Sequence, residues 1–263
     1  MTPDQLLERA VVTDPARPLI TYYDDATDER AELSVATFAN WVAKTANLLV
    51  DGLGAQPGQR VSVRLPVHWQ GAVWHAACWA VGLVSVTGSG DAGTDIAVVP
   101  LDPADTDGPP PAAPNAAEVV GLGLGPMGLS RRDAPVPAHV TLDYDREIHS
   151  HGDRFAPRAG DDPDRPALQD GLDLHTAGEL AAATADRVTS WALPPGSRVL
   201  STRPYDDLTA LLVGLLVPLA NGGGTVLCRH LDGRRVSDRM TTERVAAVTG
   251  EPADGRVILP PVT

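Results

Sequence analysis

The sequence predicts an α/β fold built from two repeated halves, and three observations carry that prediction. First, Asp14-Pro15-Ala16-Arg17-Pro18-Leu19 returns as Asp162-Pro163-Asp164-Arg165-Pro166-Ala167-Leu168, and Gln56-Pro57-Gly58-Gln59-Arg60-Val61 returns as Pro194-Pro195-Gly196-Ser197-Arg198-Val199. Second, short strand-like apolar runs alternate with segments of helical period, the pattern of β-α-β units around a parallel sheet. Third, the segment from about His68 to Val81 is apolar on nearly every face, as a helix buried between layers must be. Two copies at so long a period make a duplicated subdomain, not a solenoid. Residues 1–155 are read as the first α/β repeat and 156–263 as the second, expected to pack with it as one domain.

Thr2 and Pro3 open a short helix that Asp14-Pro15 ends. Leu19-Ile20-Thr21-Tyr22-Tyr23 and Arg30-Ala31-Glu32-Leu33 form a hairpin around the acidic turn Asp24 to Asp28. Ser34 caps a long helix whose Phe38, Trp41, Val42, Thr45, Leu48 and Leu49 recur at three and four residues, stopped by Gly52 and Gly54. The strand Arg60 to Leu65, the apolar helix and Gly82-Leu83-Val84-Ser85-Val86-Thr87 make a right-handed β-α-β unit. Strands are also expected at Asp95 to Val99 and Glu118 to Leu122, with an extended loop at Asp107-Gly108-Pro109-Pro110-Pro111 and a short helix from Asp145 to Ser150. Arg154 to Asp164 is the linker.

The second half repeats this plan with a shorter hairpin, a helix from about Thr176 to Trp191, a turn at Pro194-Pro195-Gly196 and a strand. An apolar helix from about Asp207 to Leu219 and the strand Thr225 to Cys228 follow. From Arg229 the chain reads as polar, with an unpacked tail Leu259-Pro260-Pro261-Val262-Thr263.

A net charge of -13 excludes non-specific attachment to a nucleic-acid backbone. Lys44 is the sole lysine, so a mechanism needing another lysine is closed, because arginine does not give up its proton. Cys78 and Cys228 sit in apolar company and read as buried thiols. The opening residues lead into a charged helix and not an apolar run, and the longest apolar stretch, Leu208 to Ala220, contains Pro218 and is too short to span a bilayer. A cytoplasmic protein with no membrane contact is expected.

Gly123-Leu124-Gly125-Pro126-Met127-Gly128 fits G-x-G-x-x-G, but the prolines that follow do not continue as the helix a dinucleotide site needs. His149-Ser150-His151-Gly152-Asp153 has three positions of a binuclear-metal signature and then Arg154 where another His is required, so no metal is expected. His68 and His75 read as satisfied or half-exposed helix histidines, and Trp69, Trp74 and Trp79 as core. Gly222-Gly223-Gly224 reads as a helix stop, with Gly222 and Gly223 retained as candidate ligand contacts.

Leu33-Ser34 with Phe38, Ala46-Asn47-Leu48-Leu49, Pro57-Gly58-Gln59-Arg60-Val61 and Cys78-Trp79-Ala80-Val81-Gly82 together resemble the N-terminal part of the AMP-dependent synthetases and ligases, the acyl-adenylate-forming superfamily. Pro195-Gly196-Ser197-Arg198-Val199-Leu200 and Leu211 to Leu219 with Gly222-Gly223-Gly224-Thr225-Val226-Leu227 extend the likeness over most of residues 1–250. The chain is most similar to short actinobacterial relatives that end at about half the usual length.

The resemblance implies a truncated version of that superfamily's layered N-terminal fold, and it shows what is missing. The family's phosphate loop ends in Pro-Lys-Gly; here the interval is Pro166 to Thr176, without the Ser/Thr run or the Lys, and with Asp170 and Asp173 set to repel a triphosphate. Gly171 is its one candidate remnant. The pocket-lining Pro-x-x-His segment is Pro204-Tyr205-Asp206-Asp207, leaving Tyr205 as a pocket candidate. The later Glu, the ribose-binding Asp and the catalytic Lys have no counterpart.

The leading expectation is therefore a non-catalytic adenylation-like domain with no catalytic residue, keeping a small-molecule or partner surface. ATP and AMP are the cofactors the resemblance implies, and the motifs support neither. The alternatives are a truncated nucleotide-dependent acyl-adenylating enzyme using atypical residues, and a subunit that completes a partner protein or a homo-oligomer.

Overall fold

The computed structural model describes every residue except 89–92, 103–104, 106–114, 126–135, 159, 250–256 and 260–263. Helix α1 (Pro3–Thr13) precedes the hairpin β1 (Pro18–Asp24) and β2 (Glu29–Ser34). Helix α2 (Val35–Asn47) follows, extended by a π-helical turn, Leu48–Gly52. Next come β3 (Arg60–Val63), α3 (Trp69–Val81), β4 (Val84–Thr87), β5 (Ile96–Pro100), β6 (Glu118–Leu122), β7 (Leu142–Asp143) and α4 (Tyr144–Glu147). The second half contributes β8 (Pro166–Asp170), β9 (Asp173–Thr176), α5 (Ala177–Ser190) and β10 (Arg198–Ser201). A continuous helix follows as α6 (Leu208–Leu211), a π-helical turn (Leu212–Leu216) and α7 (Val217–Ala220). The last described elements are β11 (Gly224–Arg229), α8 (Val236–Thr242), β12 (Val245–Thr249) and β13 (Val257–Leu259).

The caps are those the side chains dictate. Ser34 Oγ accepts the Thr37 amide at 3.1 Å. At α5, Thr176 Oγ1 accepts the Glu179 amide at 3.1 Å while Glu179 Oε2 accepts the Thr176 amide at 2.8 Å, a reciprocal capping box. Gly82 ends α3 with φ at +88°, a left-handed conformation open to glycine at no steric cost.

The strands form a seven-stranded sheet, β7-β6-β5-β3-β4-β8-β9, and a six-stranded sheet, β13-β12-β10-β11-β1-β2. Each half of the chain lends its opening hairpin to the other half's sheet. β1 pairs in parallel with β11, Ile20 opposite Thr225 through Asp24 opposite Arg229. β8 pairs in parallel with β4, Ser85 opposite Leu168 through Thr87 opposite Asp170. Each sheet thus takes strands from both sides of the expected boundary between residues 155 and 156.

All thirteen residues of α3 are buried, and the indoles of Trp69, Trp74 and Trp79 are among the largest fully enclosed side chains. Each such indole takes about 150–250 Å² out of water, on the order of 4–6 kcal/mol apiece as an upper bound. The expectation of a polar chain beyond Arg229 is corrected. Met240, Val245 and Val248 bury against Leu200, Val226 and Cys228, and β12 lies between β10 and β13. Leu259, assigned above to an unpacked tail, belongs to β13, while residues 260–263 and the loop 107–111 lie outside the described residues. No described helix is long and apolar enough to cross a membrane.

Candidate functional site

The hairpin β8–β9 occupies the interval where the resemblance implies a phosphate loop. Asp170 pairs with Asp173 across a two-residue turn, Gly171-Leu172. Gly171 has φ at +58°, the left-handed first position of a type II′ turn, and Leu172 at the tip is 99% exposed. The turn is closed by backbone geometry and has no length in which successive amides could surround an anion.

Asp170 is turned inward. Its Oδ1 accepts the Thr87 hydroxyl at 2.8 Å and its Oδ2 accepts the Leu208 amide at 3.0 Å. Asp207, the residue before α6, accepts the Ala210 amide at 2.7 Å and the Arg203 guanidinium. The positive end of this helix is therefore occupied by two carboxylates of the protein itself. Asp206 beside them is held above the usual carboxylate range, first by burial and then by the neighbouring charge of Asp207.

Tyr205 is packed into the core. Its ring is buried, and Cβ atoms built on Gly71 and Gly214 would come within 3.0 and 2.7 Å of it. Its hydroxyl donates to the Gly214 carbonyl at 3.1 Å, and its own carbonyl accepts His75 Nε2 at 3.1 Å. The ring fills the space two glycines leave. His75, enclosed in this packing, is pushed down to about 4 by burial, so the neutral imidazole is the form that acts as donor.

Gly222 and Gly223 act as structural glycines. Gly222 is exposed with φ at +71°, and a Cβ on Gly223 would lie 1.8 Å from the Ser197 carbonyl oxygen. The Gly223 amide donates to the Pro218 carbonyl at 2.8 Å, while its carbonyl accepts the Arg17 guanidinium. These groups are spent on stopping α7 and admitting the chain to β11. Gly222 also edges a cleft of about 320 Å³ with Arg9, Arg17 and Asn221. Gly171 follows the end of β8, whose Asp170 reaches the Leu208 amide, Tyr205 lies in the core, and the glycine pair precedes β11.

The remaining motifs resolve as structure. The Gly123 amide donates to Asp145 Oδ2 at 2.8 Å, so a carboxylate takes the amide a phosphate would need; Pro126 to Gly128 lie outside the described residues. Burial holds the Asp145 carboxyl up at about 6. His149 packs on Trp41, with ring centroids 6.1 Å apart, whereas the carbonyl of His151 accepts Lys44 Nζ at 2.6 Å. No cluster of three metal-ligating side chains occurs among the described residues. What sequence reasoning missed is the inward carboxylate of Asp170. Thr87 and Leu208 lie 83 and 38 residues from it, so no local signal could reveal the contact.

No family model matches the chain. It is 37% identical over 244 residues to a TIGR03089 family protein of Mycobacterium tuberculosis, covering 92% of this chain and 96% of that one. Solved structures of similar fold include an acyl-CoA synthetase of Brucella canis, with a TM-score of 0.73 and 15% identity over 95% of this chain and 47% of that one. They also include the ATP-bound RpMatB-BxBclM chimera B1, with a TM-score of 0.70 and 19% identity over 95% of this chain and 49% of the chimera. The chain spans about half the length of these two structures, and what it shares with them is the two-sheet α/β fold of the synthetase N-terminal domain.

Proposed function

The chain belongs to the TIGR03089 family, and we propose that it is a non-catalytic domain with the synthetase fold, which keeps the framework as a binding surface and does not form acyl adenylates. The observation that carries this reading is the carboxylate of Asp170 bonded to the Leu208 amide beneath the closed Gly171-Leu172 turn. Adenylation requires positive charge and amide donors focused on the α-phosphate. Here the helix end carries Asp170 and Asp207, and Lys44, the sole lysine, is engaged with the His151 carbonyl. The two buried, unpaired thiols, Cys78 and Cys228, fit a reducing, cytoplasmic setting.

ATP-dependent pyrophosphate exchange across a panel of carboxylic acids tests this. Exchange at the no-enzyme background is expected, together with an unfolding midpoint that ATP-Mg, AMP and a non-hydrolysable acyl-adenylate analogue leave unmoved. Exchange above background with any acid would refute the proposal.

A second reading, a subunit that completes a partner or a second copy, is favoured by the edge strand β9. Leu174 on it is 50% exposed, next to the bare Leu172 tip. Uncapped apolar edges promote association. Size-exclusion chromatography over a concentration series distinguishes this reading by a concentration-dependent shift to larger size, which Leu172→Ser with Leu174→Ser should abolish.

A further inference from the structure

We propose that the chain carries a separate site under helix α1, an apolar pocket that takes a lipophilic ligand with a cationic head, of the alkylammonium class. The pocket lies among α1, α2, the second half of α3, the helix formed by the π-helical turn Leu212–Leu216 and α7, and the segment around Phe155 and Pro157. Its volume is about 300 Å³, about twice that of an engineered cavity that accepts benzene. A chain of about ten carbons or a two-ring body matches that space on the same scale. The room comes from alanines set four apart on facing helices, Ala39 and Ala43 on α2 and Ala76 and Ala80 on α3.

The chemistry of the lining decides the class of ligand. The walls are hydrocarbon and aromatic, among them Phe38, Val42, Leu215 and Leu219. The indole N–H of Trp79 is already committed to Ser85 Oγ at 3.2 Å and the Ala167 carbonyl at 3.1 Å. A carboxylate or phosphate head would find no donor on these walls and would lose its hydration uncompensated. The charged side chains that line the pocket are Asp4 and Glu8 of α1, both acidic. Asp4 is spent on Arg165 at 2.5 Å, where both side chains are under 10% exposed. Glu8 is exposed at the mouth and is the group a cationic head would meet.

This site is independent of the reading above. Its α3 wall is Ala76, Trp79 and Ala80, toward Gly82, whereas Tyr205 packs near the start of α3 at Gly71, and neither Asp170 nor Leu208 lines the pocket. Pyrophosphate exchange does not report on it, so either proposal can fail alone.

The test is calorimetric titration of the full chain with decylammonium, decanol and decanoate, each below its micelle concentration, with thermal unfolding in parallel. Saturable binding of decylammonium is expected, at least about tenfold tighter than decanoate, with decanol between them. Glu8→Gln, at an exposed position that leaves the fold intact, should weaken decylammonium about two- to fivefold and leave decanol unchanged. Ala39→Phe, which fills the half-buried side of the pocket, should abolish binding of all three. The proposal is overturned if decanoate binds as tightly as decylammonium, if no probe saturates, or if Ala39→Phe still binds.

Discussion

Asp170 caps the start of α6 from another layer of the molecule: its Oδ2 accepts the Leu208 amide at 3.0 Å while Oδ1 holds Thr87 on β4. One carboxylate thus joins the seven-stranded sheet to the helix that leads into the six-stranded one. Asp170→Ala leaves an orphan amide at Leu208 and leaves the Thr87 hydroxyl only its 3.2 Å contact to the Gln169 carbonyl, and should cost about 0.5–2 kcal/mol, the range for lost helix caps. Urea unfolding measures that loss. The same variant should gain no pyrophosphate exchange, because removing the carboxylate supplies neither the missing lysine nor a longer turn.

Tyr205 and Gly214 are matched in shape, so a methyl group added at residue 214 must displace the ring. Its Cβ would lie 2.7 Å from Tyr205 Cε1, where no real contact is so short. Gly214→Ala should therefore destabilise by about 1–3 kcal/mol, as overpacked cores do. In a Tyr205→Leu background the same change should cost much less. A double-mutant cycle by chemical denaturation would read this as a coupling of about 1 kcal/mol or more, whereas strict additivity would contradict the packing described.

The elements built on local pattern were legible in the sequence. Ser34 announced α2, the all-round apolar stretch announced α3, and the repeated Pro-Gly turns announced β3 and β10. The exchange of hairpins between halves was not legible, because Leu19 to Tyr23 has the same alternation whichever sheet it joins. Pairing with β11 is settled by contacts about two hundred residues away. The packing of Tyr205 was not legible for a related reason: Gly71 and Gly214, distant in sequence, supply the slot that buries its ring. The run Val245 to Thr249 is short and rich in alanine, so its burial depends on the strands flanking it and not on its own periodicity.

The buried pair of Asp4 and Arg165 should be far more consequential than the ion pairs on the surface. Both side chains are under 10% exposed, and Arg165 Nε and Nη1 find no partner among the described residues. Asp4→Asn would leave a guanidinium uncompensated, at a cost of about 3–5 kcal/mol. The exposed pair Arg187 with Asp186 should yield no more than about 1 kcal/mol to Arg187→Ala. A melting experiment on the two variants should place them many degrees apart, and equal midpoints would show that α1 is not anchored through Asp4.

Acid should weaken the fold through His68 and His75, against partial opposing effects from Asp145 and Asp206. Burial lowers the two histidines to about 3 and about 4, so between pH 6 and pH 5 they stay neutral in the native chain. In the unfolded chain, where an imidazole titrates near 6.5, both become protonated over that window. Each therefore contributes stability that is present above its unfolded pKa and is lost as pH falls. Asp145 has the opposite sign: its folded value is raised to about 6, so the native state takes up its proton first and gains stability as pH falls. Among these three groups the unfolded state binds about one proton more than the native state, so their joint contribution should fall by about 1.4 kcal/mol per pH unit from pH 6 to pH 5, and Asp206, also raised by burial, acts with the sign of Asp145. Asp145→Asn removes its opposing proton and should roughly double that slope, while His75→Gln should bring it close to zero. Urea unfolding at closely spaced pH values measures all three slopes. A wild-type stability that rises on acidification through this window would mean that the imidazoles of His68 and His75 are not kept neutral by the core.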